Sequence, residues 1–325
     1  MSKIKILLII LSSIYFIVNC TQTLPQSIGK IRQIIVLTNF RSQIEKQLQY
    51  TLQRNYYTVQ PEPEFILRYE DLSRLSDFMK FHLILIVGVI TEEPIQTLLK
   101  EYQTKIQQDG FGLYSYNDLW AKNQKVLIFA ANDYNTLSDG LIRYERRIRQ
   151  EFQNYLINYL TQLTYARGYK KEISDSLINH YHYSIKVPQS FFLNTKYENN
   201  NFIYLVAHNP TRSIFIYNER RYIELDPSYI ISLRDSITNL FFDKDYVYQP
   251  LTYAETTNFN NNIALKLIGA WQNDALTAGG PFISYCFNKN NHFYYIDGSV
   301  FNPGKRKLDN LLQLDAIIRT FEILQ

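Results

Sequence analysis

The sequence predicts an α+β protein, with a layered α/β N-terminal half followed by an antiparallel-sheet half that carries two packing helices. Three features carry this. His82 to Ile90, "HLILIVGVI", is apolar without a break over the length of one strand, as expected of a strand covered on both faces. Beyond about residue 170, apolar residues alternate instead in short runs between Asn- and Pro-containing turns, the pattern of antiparallel sheets. Finally, Leu311, Leu314, Ile317, Ile318, Phe321 and Leu324 recur at helical spacing and form a stripe fit to cover such a sheet.

In chain order, Lys3 and Lys5 precede an apolar run from Ile6 to Val18. That run is too short for the roughly 20 residues of a spanning helix and suits a secretory signal. Residues 1–20 are therefore expected to be a signal peptide. Ile17, Val18, Asn19 and Cys20 resemble the lipobox of bacterial lipoproteins, with Asn19 where Gly, Ala or Ser is usual. Acylation would fall on the Cys20 sulfur, and residues 21–30 read as a polar tether. Cys286 is the other of the two cysteines, so a lipid-modified Cys20 leaves no internal disulfide to form.

The N-terminal half is placed at 31–170. Arg32 to Thr38 reads as a buried strand, and Ser42 to Arg54 as a helix. Pro61 and Pro63 exclude a helix or central strand from Val59 to Phe65, leaving an extended edge. Asp71 opens a short helix, the strand 82–90 follows, and a helix is expected around 94–108. Lys125 to Ala131 is a second buried strand. A long helix to about Thr164 then carries Leu141, Ile148, Phe152, Tyr155, Tyr159 and Leu163 on its inner stripe.

The C-terminal half is placed at 171–325. Its short strands are expected at 183–187, 202–207 and 212–217, and Asp226 caps a helix with Pro227 in its first turn. Phe282 to Phe287 and His292 to Ile296 form a hairpin around "NKNN". With Lys289 and Asn290 as its loop, Ile283 faces Ile296 and Phe287 faces His292. Ser284, Cys286, Tyr295 and Asp297 share the other face.

Bulk properties exclude several classes. Of 325 residues, 46% are apolar and 20% charged, which argues against disorder. The formal charge of +4 falls to 32 basic against 30 acidic residues once Lys3 and Lys5 leave with the leader, too even a balance for nucleic acid.

No catalytic, metal or cofactor-binding residue is assigned. Cys286 and His292 fall on opposite faces of the expected hairpin, which separates a thiol from its base. His180 and His182 share a strand face in this reading but have no third ligand at metal-site spacing. Gly279 and Gly280 could present N–H groups to an anion, or simply make a tight turn at positive φ. Asp315 and Arg319 read as a pair on a solvated helix face. Trp120 and Trp271 could line a groove or fill the core of a chain that is 15% aromatic, and Arg234 with Asp235 offers an ion pair. The candidate ligand or partner surface is thus Trp120, Arg234, Asp235, Trp271, Gly279 and Gly280.

The chain carries, in order, "QPEPEF" (60–65), "DLWAKNQKV" (118–126), "ERRIRQEF" (145–152), "LRDSIT" (233–238), "GGPFISY" and "GSVFNPGKRKLDNLLQLDAIIRTF". By these fragments it resembles, over nearly all the mature length, the DUF4837 family of Bacteroidota lipoproteins. This chain departs from the family's Arg-Gly-Leu-Trp at Ile268 to Trp271 and has Ala278 where the family has Met before the paired glycines. The resemblance implies export, a lipid anchor and an α+β body, and no known catalysis. By fold analogy alone, the body also looks like the photosystem PsbP and nuclear Mog1 domains.

The expected protein is lipid-anchored in the cell envelope, at the outer membrane facing the periplasm, since Gln22 replaces the Asp that retains lipoproteins at the inner membrane. The body is expected to be a non-enzymatic binding or organising module. A hydrolase acting on glycan or peptidoglycan and an apolar-ligand carrier are the alternatives. Expected partners are the membrane and either an envelope protein or a small apolar ligand, with no nucleic acid and no cofactor.

Overall fold

The computed structural model describes residues 23–197, 201–242 and 244–324; the leader and Cys20 lie outside them. The fold class is α+β, with one mixed sheet and one antiparallel sheet. Contacts divide the chain into two units. One takes the residues up to Asn39 and Tyr69–Leu137, the other Phe40–Arg68 and everything from Ser138 on.

In the first unit, the unbroken apolar runs become β1 (Gln33–Leu37), β5 (Leu83–Val89) and β7 (Lys125–Ala131). They pair in parallel, with Val36 beside Leu85 and Leu85 beside Leu127. Such runs can fill both faces of a central strand, and every residue of β7 is buried. β6 (Phe111–Asn117) closes one edge antiparallel to β7. β4 (Ile66–Glu70), in which the division between units falls, closes the other. The helix expected at 94–108 is broken into Ile95–Leu98, a 3-10 turn and Gln103–Asp109. The segment expected as a tether is docked at its described end: Gln26 bridges Lys122 and Ile28 bridges Phe81. Between them Ser27 Oγ donates to the Asn123 carbonyl at 2.6 Å and lies 2.7 Å from His82 Nδ1.

The second unit is built on a seven-stranded antiparallel sheet. Its strands are β9 (Phe192–Leu193), β10 (Phe202–Ala207), β11 (Thr211–Glu219), β12 (Tyr246–Phe259), β13 (Asn262–Asn273), β14 (Ala278–Lys289) and β15 (His292–Phe301). Their order is β12-β13-β14-β15-β11-β10-β9. Two short pairs complete it, the hairpin β2 (Asn55–Thr58) with β3 (Gln60–Pro63), and β8 (Tyr183–Ser184) with β16 (Glu322–Ile323).

Helix α7 (Pro227–Phe241) packs Ile230 and Ile237 into a cluster with Phe215, Leu267, Phe282 and Tyr295. As expected, Asp226 caps it, accepting from the Tyr229 N–H at 2.8 Å. Helix α8 (Leu308–Ile318) approaches the sheet at Gly298, where a Cβ would sit 2.9 Å from Ile318 and 3.0 Å from Leu314. Helices α1 (Arg41–Leu52), α6 (Lys171–Tyr181) and, from Ser138 on, α5 (Tyr134–Thr164) also belong to this unit, while α2 to α4, the short helices Leu75–Phe78, Ile95–Leu98 and Gln103–Asp109, belong to the first. On α5 the buried stripe runs Leu141, Ile148, Phe152, Leu156 and Leu160, while Leu163 is exposed.

The hairpin register differs from expectation by two residues. Asn290 and Asn291 form the turn at φ 52° and 57°, so Tyr285 faces Ile296, Phe287 faces Tyr294 and Ser284 faces Asp297. Both central positions of this turn need positive φ, which Asn tolerates better than Lys289 would. A slip of two preserves the faces, so Ser284, Cys286, Tyr295 and Asp297 still share one as read from the sequence, while the partner of Cys286 changes from Phe293 to Tyr295.

Candidate functional site

A cavity of about 350 Å³ opens in the second unit between α7 and one face of the antiparallel sheet. Aromatic rings wall it from several elements: Tyr204 on β10, Phe215 on β11, Phe242 just past α7, and Trp271 on β13. Its rim carries Leu276 and Phe301, which are 64% and 36% exposed.

Arg234, from the middle of α7, reaches this cavity although only 2% of it is exposed. Its Nε donates to Asp297 Oδ2 at 2.8 Å and its Nη2 to Asp297 Oδ1 at 3.3 Å and to Ser299 Oγ at 3.0 Å. Its Cζ lies over the Phe282 ring, 4.0 Å from the centroid. Asp297 also accepts from Ser284 Oγ at 2.7 Å and Ser299 Oγ at 2.8 Å. Burial alone would lower the guanidinium's pKa, but attraction to Asp297 outweighs it and raises the value above that of a free arginine. Arg234 Nη1 is buried and has no partner.

Trp271 Nε1 is likewise buried and unpartnered. The ring lies where it does because residue 280 has no side chain. A Cβ there would meet the Val300 carbonyl oxygen at 1.8 Å and Trp271 Nε1 at 3.1 Å. A Cβ on Gly279 would likewise meet the Trp271 carbonyl oxygen, at 2.9 Å, and Gly279 lines a neighbouring groove with Val59 and Tyr248. The tight-turn reading of the two glycines is therefore corrected. Both are within β14, and the positive φ before them belongs to Thr277, at 49°. Their role is close approach rather than unusual backbone angles.

The remaining candidates separate from this site. Asp235 turns away to accept from the Val247 N–H at 2.7 Å, and burial, only partly offset by that bond, raises its pKa. Trp120 belongs to the first unit and packs against its core. Cys286 is buried in the sheet, and burial, followed by repulsion from Asp297, pushes its thiol well above 9.0. His180 lies in the last turn of α6 and His182 is the left-handed residue after the helix, so the two share no strand face. Among the described residues no group of three or more His, Cys, Asp or Glu could hold a metal. No described helix is long and apolar enough to cross a membrane.

Sequence reasoning missed a second, polar cavity of about 560 Å³ in the same unit. Glu64, 2% exposed, lines it and accepts from Arg149 Nε at 2.8 Å and Gln153 Nε2 at 2.5 Å. Asp315 also lines it, accepting from Tyr285 Oη at 2.7 Å and Arg319 Nε at 3.1 Å. Asp315 is 4% exposed, so the Asp315–Arg319 pair is not on a solvated face. Tyr285, reaching out from the sheet, supplies the hydroxyl that makes the inward position tolerable.

Residues 170–320 match the family model described as a domain of unknown function, DUF4837, and residues 27–164 match another, DUF8532. No curated protein matches the chain. A crystal structure from Bacteroides thetaiotaomicron VPI-5482 shares 8% identity over 45% of this chain and 46% of its own, with a TM-score of 0.29. The chain thus spans about half the length of that neighbour. LpqN, described as involved in cell envelope biogenesis of Mycobacterium tuberculosis, shares 8% over 44% of this chain and 83% of its own, with a TM-score of 0.25. Likenesses this distant carry no argument about fold or activity. The stretch 170–320, which contains the whole Arg234–Trp271 cavity, belongs to the DUF4837 family.

Proposed function

We propose that this protein is a non-enzymatic binding module, held at the cell envelope by a lipid on Cys20, that takes a small apolar ligand into the Arg234–Trp271 cavity. The carrying observation is the Arg234 guanidinium at an aromatic-walled cavity with a buried, unpartnered Nη1. Leaving such a donor unsatisfied costs on the order of 1–3 kcal/mol, which a ligand oxygen would recover. The volume lies at the small end of the ~300–1,000 Å³ of ligand sites.

The anchor rests on the leader: Lys3 and Lys5, an apolar run, and a cysteine at its end. An outer-membrane location facing the periplasm extends that reading. Cys20→Ala is expected to move the protein from the membrane to the soluble fraction; unchanged fractionation would remove the anchor from the proposal. For the ligand, Ala278→Phe fills the cavity from its lining. Displacement of a neutral fluorescent naphthylamine is expected for the wild type and is lost in Ala278→Phe, with the fold checked by circular dichroism. Equal binding by both proteins would sink the cavity reading.

One observation favours the glycan-hydrolase alternative, namely that two carboxylates, Glu64 and Asp315, line the polar cavity. Each is tied into a hydrogen-bonded ion pair with its own arginine, an arrangement suited to holding structure rather than to passing protons. Glycan cleavage abolished by Glu64→Gln and Asp315→Asn would establish that second reading.

A further inference from the structure

The charge balance around Arg234, together with two unpartnered donors, narrows the ligand of the proposed cavity. We infer that its polar end is an uncharged carbonyl, the ester or amide of an acyl chain, and not a carboxylate or a phosphate. This rests on the cavity reading above and deepens it.

The guanidinium is already neutralised. Asp297 takes two of its N–H groups in a forked contact, and two serine hydroxyls complete the carboxylate's hydrogen bonds. A ligand anion would therefore enter as a net buried negative charge, facing Asp297 across a shared arginine. Arg234 is the one cation lining the cavity among the described residues, whereas Asp245 adds another carboxylate, held by Asn273 Nδ2 at 2.8 Å.

Behind its wall lie two hydrogen-bond donors. Arg234 Nη1 and Trp271 Nε1 are both buried and unpartnered, and both belong to residues that line the cavity. A carbonyl oxygen brings no charge, so where the wall yields to it, it satisfies such a donor without adding a buried ion. The hydrocarbon that bears it then lies among Tyr204, Phe215, Phe242 and Phe301, with Leu276 and Phe301 at the exit. A plain hydrocarbon fits these walls but leaves both donors unmet. The site accordingly ranks an acyl ester first, because a pocket built to hydrogen-bond a group rejects the analogue that lacks it.

The test is equilibrium competition on the intact protein with three matched probes: methyl decanoate, decanoate ion and decane. Methyl decanoate is expected to compete at least about tenfold better than either of the others at neutral pH, a difference of about 1.4 kcal/mol. Trp271→Phe keeps an aromatic wall and removes one donor. It is expected to weaken the ester several-fold more than it weakens decane, and the variant comparison cancels partition of probes into detergent. Decanoate competing as well as the ester, or decane matching it, overturns the neutral-carbonyl assignment while leaving the cavity reading intact. An ester affinity unmoved by Trp271→Phe overturns it as well. Failure of all three probes overturns the cavity reading itself.

Discussion

At the scale of single residues, the buried Arg234–Asp297 pair is worth more as a constraint than as a source of net stability. Its desolvation offsets much of its Coulomb attraction, so its loss matters mainly through the partner left behind. Arg234→Met leaves Asp297 buried with only Ser284 and Ser299 as donors. We expect this to lower unfolding stability by about 3–5 kcal/mol, read from the urea midpoint. A loss below about 1 kcal/mol would mean that the carboxylate finds water. Removing both charges with Arg234→Met/Asp297→Leu should recover most of the deficit. The thiol two residues along β14 from Ser284 behaves differently. Cys286 is fully buried and held protonated by burial and by Asp297. It is expected to stay unreactive towards a disulfide reagent in the native protein and to react fully in urea; modification within minutes under native conditions would contradict that.

At the scale of elements, β14 depends on what Gly280 lacks. An alanine Cβ there would meet the Val300 carbonyl, part of the backbone of β15, at 1.8 Å. Gly280→Ala must move one strand or the other, and we expect a cost of about 1–3 kcal/mol together with a red-shifted Trp271 emission as the ring is displaced. An unshifted emission would show that the strands yield without disturbing the ring. The same element shows what the sequence could convey. Its alternation placed Ser284, Cys286, Tyr295 and Asp297 on one face, and α7 and α8 were legible from capping and stripe, although α8 ends at Ile318 and leaves Phe321 and Leu324 of that stripe beyond it. The partner of Arg234 was not legible: the sequence offered its neighbour Asp235, whereas the fold pairs it with Asp297. The register was not legible, because choosing which pair of "NKNN" turns depends on backbone angles at Asn290 and Asn291. β12 was missed outright. It is an edge strand with Pro250 between the paired segments that flank its irregularity, and few of its residues are buried, so it carries neither period nor apolar run. The cavity was illegible for a further reason: it is closed by residues from Tyr204 to Phe301 that only the strand order β13-β14-β15-β11-β10 brings together.

At the scale of the whole molecule, the unusual feature is where its ionisable hydroxyl and thiol groups are buried. The chain has 27 tyrosines. Tyr56, Tyr285 and Tyr295 are pushed well above 10.0, burial being the largest cause in each, and Cys286 well above 9.0 for the same reason. All four belong to the second unit, whereas the core cluster of the first is aliphatic with one phenylalanine. The sign of the consequence follows from proton counting. In alkali the unfolded chain releases these protons at their ordinary values while the native unit retains them, so the native state binds more protons and stability falls as pH rises. The loss begins near pH 9 with Cys286 and steepens above pH 10 with the tyrosines. Each group contributes up to about 1.4 kcal/mol per pH unit, a loss drawn from the ~5–15 kcal/mol that holds a typical domain. The second unit should therefore open first. Hydrogen exchange at pH 8 and pH 10.5, after correction for intrinsic rates, is expected to show protection falling across Phe282–Phe287 and holding across Leu83–Val89. Equal loss in both strands would show that the two units unfold as one, and no loss in either would show that the buried hydroxyls do not govern the alkaline limit.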